Sequence, residues 1–443
     1  MKGSRFNIFV PAPDGRDTIL FNTLYGSISV LDDAEYRAAK SMLADTAEYD
    51  QTSSLFTQLV NQKHMVPDEL DELSLVETRK RAGIRDQNTL EVIILPTLDC
   101  NFSCVYCYED HRPSRMRPEA VGALKAWLSS TIPNYKVVML YWFGGEPLLQ
   151  FDTVLSVSRH VKTVAERFGK LAVLHVTTNG YLLTRTRAKE LAESGIRDYQ
   201  ITLDGPANAH NRLRVLRDGG GTFDRVFRNV CTLASVNSAV KITLRINVNH
   251  TNIDFIPELL QSFPPALRPQ LRIAFEPIFG DSRQSALCNI SQSVLSEKLS
   301  GYSEQAASLG YDVIFGLSAI HPGKLVYCYA ERESQFIFNF NGDVFKCTVC
   351  NFDSSQCVGH LQPDGSLKLN EDHWKKWVRD DLFGPRCRSC VYLPLCMGGC
   401  RKTRLQVESD QECCLVATNA SYLLKLIALG GLREAFKVSM LSM

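Results

Sequence analysis

Between residues 89 and 280 the chain repeats a single pattern. A short apolar run is followed by a stretch whose apolar positions recur three and four apart, the signature of strand then amphipathic helix. Residues 91–98, 136–144, 171–180, 198–205, 241–249 and 271–279 read as strands. The stretches 117–130, 151–168, 185–195 and 253–263 read as helices between them. Six such repeats predict a parallel sheet with helices packed outside it. Six is fewer than the eight of a closed barrel, so the expectation is an α/β fold built on an open or partial (βα)6 TIM barrel.

The flanks have other rhythms. Residues 5–13 and 18–31 read as strands, and 32–43, 53–62 and 68–83 as helices, with Asp32 as a helix N-cap candidate. A β-hairpin followed by short helices has a winged-helix-like order. Beyond about residue 281 the chain becomes irregular and turn-rich until 415–439, which read as closing helices. The expected domains are 1–88, 89–285 and 286–443.

Composition narrows the function. Lys and Arg total 49 and Asp and Glu 48, a net charge of +1. A nucleic-acid binder usually carries a basic surplus, and the acidic run Asp68, Glu69, Asp71, Glu72 argues further against one. No apolar N-terminal stretch resembles a signal peptide, and no run of about 18 apolar residues predicts a membrane span. The protein is therefore expected in the cytoplasm. Its 15 cysteines are then better metal or redox ligands than disulfide partners.

Cys100, Cys104 and Cys107 follow the first strand of the repeat, and ten more cysteines fall between Cys328 and Cys414. Cys231 lies on an amphipathic stretch and reads as a small buried hydrophobe; Cys288 lies in a polar connector. Three thiolates within eight residues suit three irons of a cubane cluster and leave the fourth iron open to a chelating ligand. A zinc loop is the alternative, but structural zinc wants a fourth partner that C-x3-C-x2-C lacks nearby.

With Tyr106 as the aromatic before Cys107, this signature resembles that of the radical S-adenosylmethionine (SAM) enzymes. Other motifs follow in that family's order. Phe143-Gly144-Gly145-Glu146-Pro147 resembles the GGEP motif that holds the SAM amino group: the glycines permit close backbone approach, and Glu146 offers a carboxylate. Thr202 corresponds to a contact on the ribose. Asn179 is either its neighbour in the site or simply a turn residue before glycine. His210-Asn211-Arg212-Leu213-Arg214 is similar to the family's HDxxR stretch, with Asn211 where Asp is usual. Arg214 then matches the arginine that pairs with the SAM carboxylate; a solvated basic turn is the other reading.

The later cysteines, Cys328-x13-Gly342-x4-Cys347 and then Cys387-x2-Cys390-x5-Cys396-x3-Cys400, resemble the SPASM domain, which binds two auxiliary 4Fe–4S clusters. The resemblance implies Cys328, Cys347 and Cys400 for the first. For the second it implies Cys387, Cys390, Cys396 and either Cys413 or Cys414. A zinc ribbon would account for Cys387 to Cys400 but not for the upstream pair. No extra cysteine lies between Cys288 and Cys328, so the first auxiliary cluster has an open iron or borrows Cys350 or Cys357. Sulfatase-maturing members carry Asp after the second SPASM cysteine, where this chain has Thr348.

The resemblance implies three 4Fe–4S clusters, reductive cleavage of SAM to a 5′-deoxyadenosyl radical, and an electron donor such as flavodoxin or ferredoxin. Residues 1–88 are similar to winged-helix-like domains that recognise leader peptides by β-augmentation. The expected function is maturation of a ribosomally made precursor peptide through a thioether or carbon–carbon cross-link. Alternatives are formylglycine formation on a sulfatase, dehydrogenation of a small molecule, or a zinc-stapled binding protein without catalysis. The general acid or base is unassigned; Glu276, Asp281 and Asp343 are candidates by position alone.

Overall fold

In the computed structural model the described residues are 1–12, 15–44, 50–236, 239–278, 290–314, 323, 325–379 and 383–406, without the side chains of 292, 293, 296 and 406. Cys288, Asp281, Cys413, Cys414 and the expected helices at 415–439 lie outside them. The chain divides into two compact units. One holds the described residues of Met1–Arg85, Leu317–Glu333 and Val378–Met443; the other holds those of Asp86–Gly316 and Ser334–Trp377.

The first unit contains β1 (Lys2–Gly3), β2 (Asn7–Pro11), β3 (Thr18–Asn22), β4 (Ile28–Leu31) and β5 (Met65–Val66). β2, β3 and β4 form an antiparallel sheet, and β1 pairs with β5. Helices Asp33–Leu43, Ser54–Asn61 and Glu72–Ile84 follow where the sequence pattern puts them. Asp32 is the predicted cap: its carboxylate accepts from the Ala34 and Glu35 amides, and the Glu35 side chain accepts from the Asp32 amide. Three residues of the acidic run are engaged locally. Asp68 pairs with the chain's amino terminus, Asp71 caps the third helix, and buried Glu72 accepts from Ser4 Oγ and the Arg5 amide. Phe6, Leu24, Val76 and Ile84 share one core with Val326, Phe383, Leu393 and Met397, so the first 85 residues and the later cysteine segments pack together.

The second unit is organised by one sheet of eleven strands. In chain order they are β6 (Thr89–Ile94), β7 (Val137–Trp142), β8 (Leu171–Thr178), β9 (Ile196–Thr202), β10 (Lys241–Val248), β11 (Leu271–Pro277), β12 (Asp312–Ile314), β13 (Gln335–Phe338), β14 (Asp343–Phe345), β15 (Gly359–Leu361) and β16 (Leu367–Leu369). β6 to β12 are all parallel and lie side by side in chain order, the singly wound arrangement of βα repeats. The sheet stays open, because the free edge of β6 takes parallel β13 and the antiparallel strands β14 to β16. Helices such as Pro118–Thr131, Phe151–Arg167 and Phe223–Val236 bury one face against the core. Cys231, on the last of these, is partly buried and packs against that core. Among the described residues, no helix is long and apolar enough to cross a membrane.

Candidate active site

The loop after β6 carries the three clustered cysteines, and backbone pairing shapes it. The Ser103 amide donates to the Val215 carbonyl at 2.8 Å and the Val105 amide to the Leu213 carbonyl at 3.0 Å, while the Arg217 amide donates to Asn101 at 3.2 Å. The cysteine loop is thus stitched to the segment carrying Arg214. On its other side the Gly145 and Glu146 amides donate to the Thr97 and Asp99 carbonyls. A Cβ on Gly144 would stand 2.4 Å from the Thr97 oxygen, and one on Gly145 would stand 2.2 Å from the Asp99 oxygen. These glycines are needed first for approach to the cysteine loop's own backbone. Gly144, at φ +115°, also sits where a side chain is strained.

Glu146 is fully buried, and its carboxylate is occupied. Oε1 accepts from Thr178 Oγ1 at 2.7 Å and the Leu148 amide at 2.9 Å; Oε2 accepts from the Asn179 amide at 2.7 Å. Its visible work is to tie the turn after β7 to the end of β8. Asn179 in turn donates to Asn101 Oδ1 at 2.8 Å and lies 3.8 Å from Cys100 Sγ, so it is more than a turn residue.

A polar knot joins four segments. The Tyr106 hydroxyl donates to Asp204 and accepts from Arg214 Nη1 at 2.8 Å and Asn247 Nδ2 at 2.9 Å. Asp204 Oδ1 also takes the Asn247 amide at 2.8 Å. Arg214 is buried against the Phe102 ring, so it is no solvated turn. Burial opposes its charge, but Cys104, Tyr106 and Asp204 outweigh that and hold its pKa above the ordinary value. Its Nε is fully shielded and has no partner among the described residues.

Asn211 caps the helix that follows its turn. Its Oδ1 accepts from the Thr222 amide at 2.9 Å and the Phe223 amide at 3.0 Å, at the start of helix Phe223–Val236. His210 Nδ1 accepts from the Asp204 amide and Nε2 faces Thr222 Oγ1, which donates to the Arg214 carbonyl. Burial and the nearby arginine push the His210 pKa well down, so the ring is neutral.

These parts enclose a cavity of about 410 Å³. Its wall includes all three clustered cysteines, Tyr106, Gly144, Gly145, Asn179, Thr202 and Arg214, every expected SAM-site residue except buried Glu146. Burial pushes the Cys100 and Cys107 thiols up to about 12 and raises Cys104, so an electropositive ligand is needed to hold them as thiolates. The fit to an iron–sulfur cluster with a zwitterionic chelate beside it is good: three thiols and a buried, charged guanidinium line the same cavity.

A family model described as the radical SAM superfamily matches residues 94–262. Those residues form a radical SAM domain. Among relatives, Fe-coproporphyrin III synthase of Methanosarcina barkeri is 26% identical over 44% of this chain, which spans only 45% of that protein. The cysteine-type anaerobic sulfatase-maturating enzyme of Clostridium novyi is 22% identical, covering 71% of this chain and 89% of its own. PqqA peptide cyclase of Bradyrhizobium diazoefficiens is 22% identical, covering 72% and 83%. The radical SAM α/β fold is shared with solved structures. anSMEcpe with bound AdoMet and Cp18Cys peptide matches with a TM-score of 0.60 at 17% identity, covering 78% of this chain and 99% of its own. Streptococcus suis SuiB bound to precursor peptide SuiA matches at 0.50 and 16%, covering 94% and 100%.

The sequence motifs gave no role to Asp204 or Asn247, although Asp204 stands inside the quoted Thr202-Leu203-Asp204-Gly205. Glu109 also lines the radical SAM cavity, with its carboxyl pushed by burial up to about 8. Glu276 is the next-to-last residue of β11 and is not among the cavity's lining residues, and Asp343 begins β14. The later described cysteines divide between the two units. Cys328 precedes the turn Tyr329–Glu331, Cys387 and Cys390 flank the end of helix Pro385–Arg388, Cys396 is buried at the end of Leu393–Cys396, and Cys400 precedes Arg401–Gln406, all in the first unit. Cys347, Cys350 and Cys357 belong to the second, where Val349 reaches the cavity wall.

Proposed function

We propose that this radical SAM enzyme matures a ribosomally made peptide, forming a thioether or carbon–carbon cross-link. The observation that carries the chemistry is the cavity lined together by Cys100, Cys104, Cys107 and the buried Arg214. Cys100, Cys104 and Cys107 would hold a 4Fe–4S cluster; Arg214 would take the SAM carboxylate, and Thr202, Asn179 and the Gly144-Gly145 backbone would border the rest. Bound there, cluster and SAM supply a radical able to abstract hydrogen from an unactivated carbon. Glu146 acts from behind, fixing the β7 and β8 ends that shape the site.

The peptide substrate is supported by the relatives: a peptide cyclase by name, and SuiB bound to its precursor peptide. We read residues 1–88 as a winged-helix-like leader-recognition domain, 89–285 as the radical SAM domain in a partial barrel, and 286–443 as a SPASM domain. On the spacing of the sequence, Cys328, Cys347 and Cys400 serve one auxiliary cluster, and Cys387, Cys390, Cys396 with Cys413 or Cys414 serve the other, giving three clusters in all. A flavodoxin- or ferredoxin-type donor in a reducing cytoplasm would supply the electron. Formylglycine formation is the second reading, favoured by the sulfatase-maturating relative and disfavoured by Thr348 after Cys347.

The test incubates the reconstituted enzyme with the short peptide encoded beside its gene. Loss of two hydrogens, with fragmentation showing two joined residues, supports the cross-link. An unchanged peptide mass during SAM cleavage overturns it, and conversion of one residue to an aldehyde selects the second reading.

A further inference from the structure

Cys357 is a cysteine that neither the radical SAM motif nor the SPASM spacing uses, and it is not alone. It is buried just before β15, with its thiol donating to the Gly359 carbonyl at 3.0 Å. His360, on β15, faces it with Nε2 at 3.8 Å. The other ring nitrogen, Nδ1, meets Asp343 Oδ1 at 2.7 Å, across the register that pairs β14 with β15. One ligand atom from each of the three residues lies within 4.8 Å of the others.

The order of these contacts matters. Asp343 accepts from Nδ1–H, which leaves the Nε2 lone pair directed at the sulfur. That is the carboxylate–histidine arrangement that orients an imidazole toward a metal. A tetrahedral zinc with its usual bond lengths separates a thiolate sulfur from an imidazole nitrogen by about 3.6 Å. The observed 3.8 Å admits such an ion with little movement. A nucleophilic role fits less well, because burial raises the Cys357 pKa and little of the residue reaches solvent.

We propose that Cys357 and His360 form a site for a soft divalent cation of the zinc class, with Asp343 orienting His360. The thiol proton leaves to solvent as the thiolate binds. His360 is largely exposed, so the ion enters from that side and water completes its shell. The site belongs to the antiparallel strands β14 and β15 and is distinct from the cysteine triad.

The test uses holoprotein with its iron–sulfur clusters reconstituted, so that cluster cysteines are occupied, and equilibrates it with zinc. Wild type is expected to hold about one zinc per chain, with an X-ray absorption shell of a single sulfur at about 2.3 Å plus nitrogen and oxygen. Cys357→Ser and His360→Gln should lose it, and Asp343→Asn should weaken it roughly 10- to 100-fold. Iron content and far-ultraviolet circular dichroism establish that each variant is folded. The proposal is overturned if wild type takes up no zinc, if both ligand variants keep it, or if the shell contains three or four sulfurs.

Discussion

Arg214 Nη1 donates to the Tyr106 hydroxyl at 2.8 Å, so the aromatic residue of the cysteine loop holds the arginine expected to meet the SAM carboxylate. Tyr106→Phe removes that acceptor while keeping the ring. A hydrogen bond to a charged group contributes about 1.5–3 kcal/mol, so KM for SAM should rise about ten-fold or more with kcat little changed. Iron content should equal that of wild type. An unchanged KM would show that Arg214 needs no such restraint.

Asn211 makes a prediction about stability. Asn211→Ala strips the cap from helix Phe223–Val236 and should cost about 1 kcal/mol, with melting lowered by roughly 1–2 °C. Asn211→Asp keeps both acceptor bonds and places a negative charge at the helix start, so it should match or exceed wild type. Calorimetry of the two variants decides; a destabilised Asp variant contradicts the capping role.

Gly145→Ala places a Cβ 2.2 Å from the Asp99 carbonyl, inside any real contact distance. The cysteine loop and the turn after β7 must then separate. We expect a folded protein that reconstitutes with less iron at the Cys100 triad and cleaves SAM poorly. Full iron loading with normal cleavage would show that the loop yields without consequence.

His64 gives the first unit an acid sensitivity. It is fully buried between Asn7 Oδ1 and Ser29 Oγ, and burial lowers its pKa from 6.5 to about 4. The unfolded chain therefore binds the extra proton at a higher pH than the native one. Stability is complete above pH 6.5 and falls as pH drops toward 4, by up to roughly 3 kcal/mol. Melting followed across that range should show the loss in wild type and a flatter profile in His64→Gln. Equal slopes in the two proteins would assign the acid sensitivity elsewhere.

The six core strands and the order of their motifs were legible because both are local: apolar runs mark β6 to β11, and each motif directly follows its strand. The site's inner workings were not, since they depend on which side chains cross between strand ends. Nothing in GGEP announces that Glu146 turns toward Thr178 and Asn179, or that its glycines press on Thr97 and Asp99. Asp204 and Asn247 lie 43 residues apart and become neighbours only because β9 and β10 are adjacent and parallel. The meeting of Asp343 with His360 likewise needs the β14–β15 register.

The stitching of residues 103 and 105 to 213 and 215 uses main-chain bonds alone, and none of them passes through a sulfur. The bonds that shape this loop therefore do not themselves need iron. An enzyme whose first cluster has been destroyed by oxygen should keep its shape and accept a fresh cluster by simple refilling, so damage and repair are steps of cofactor traffic and require no return through the unfolded chain.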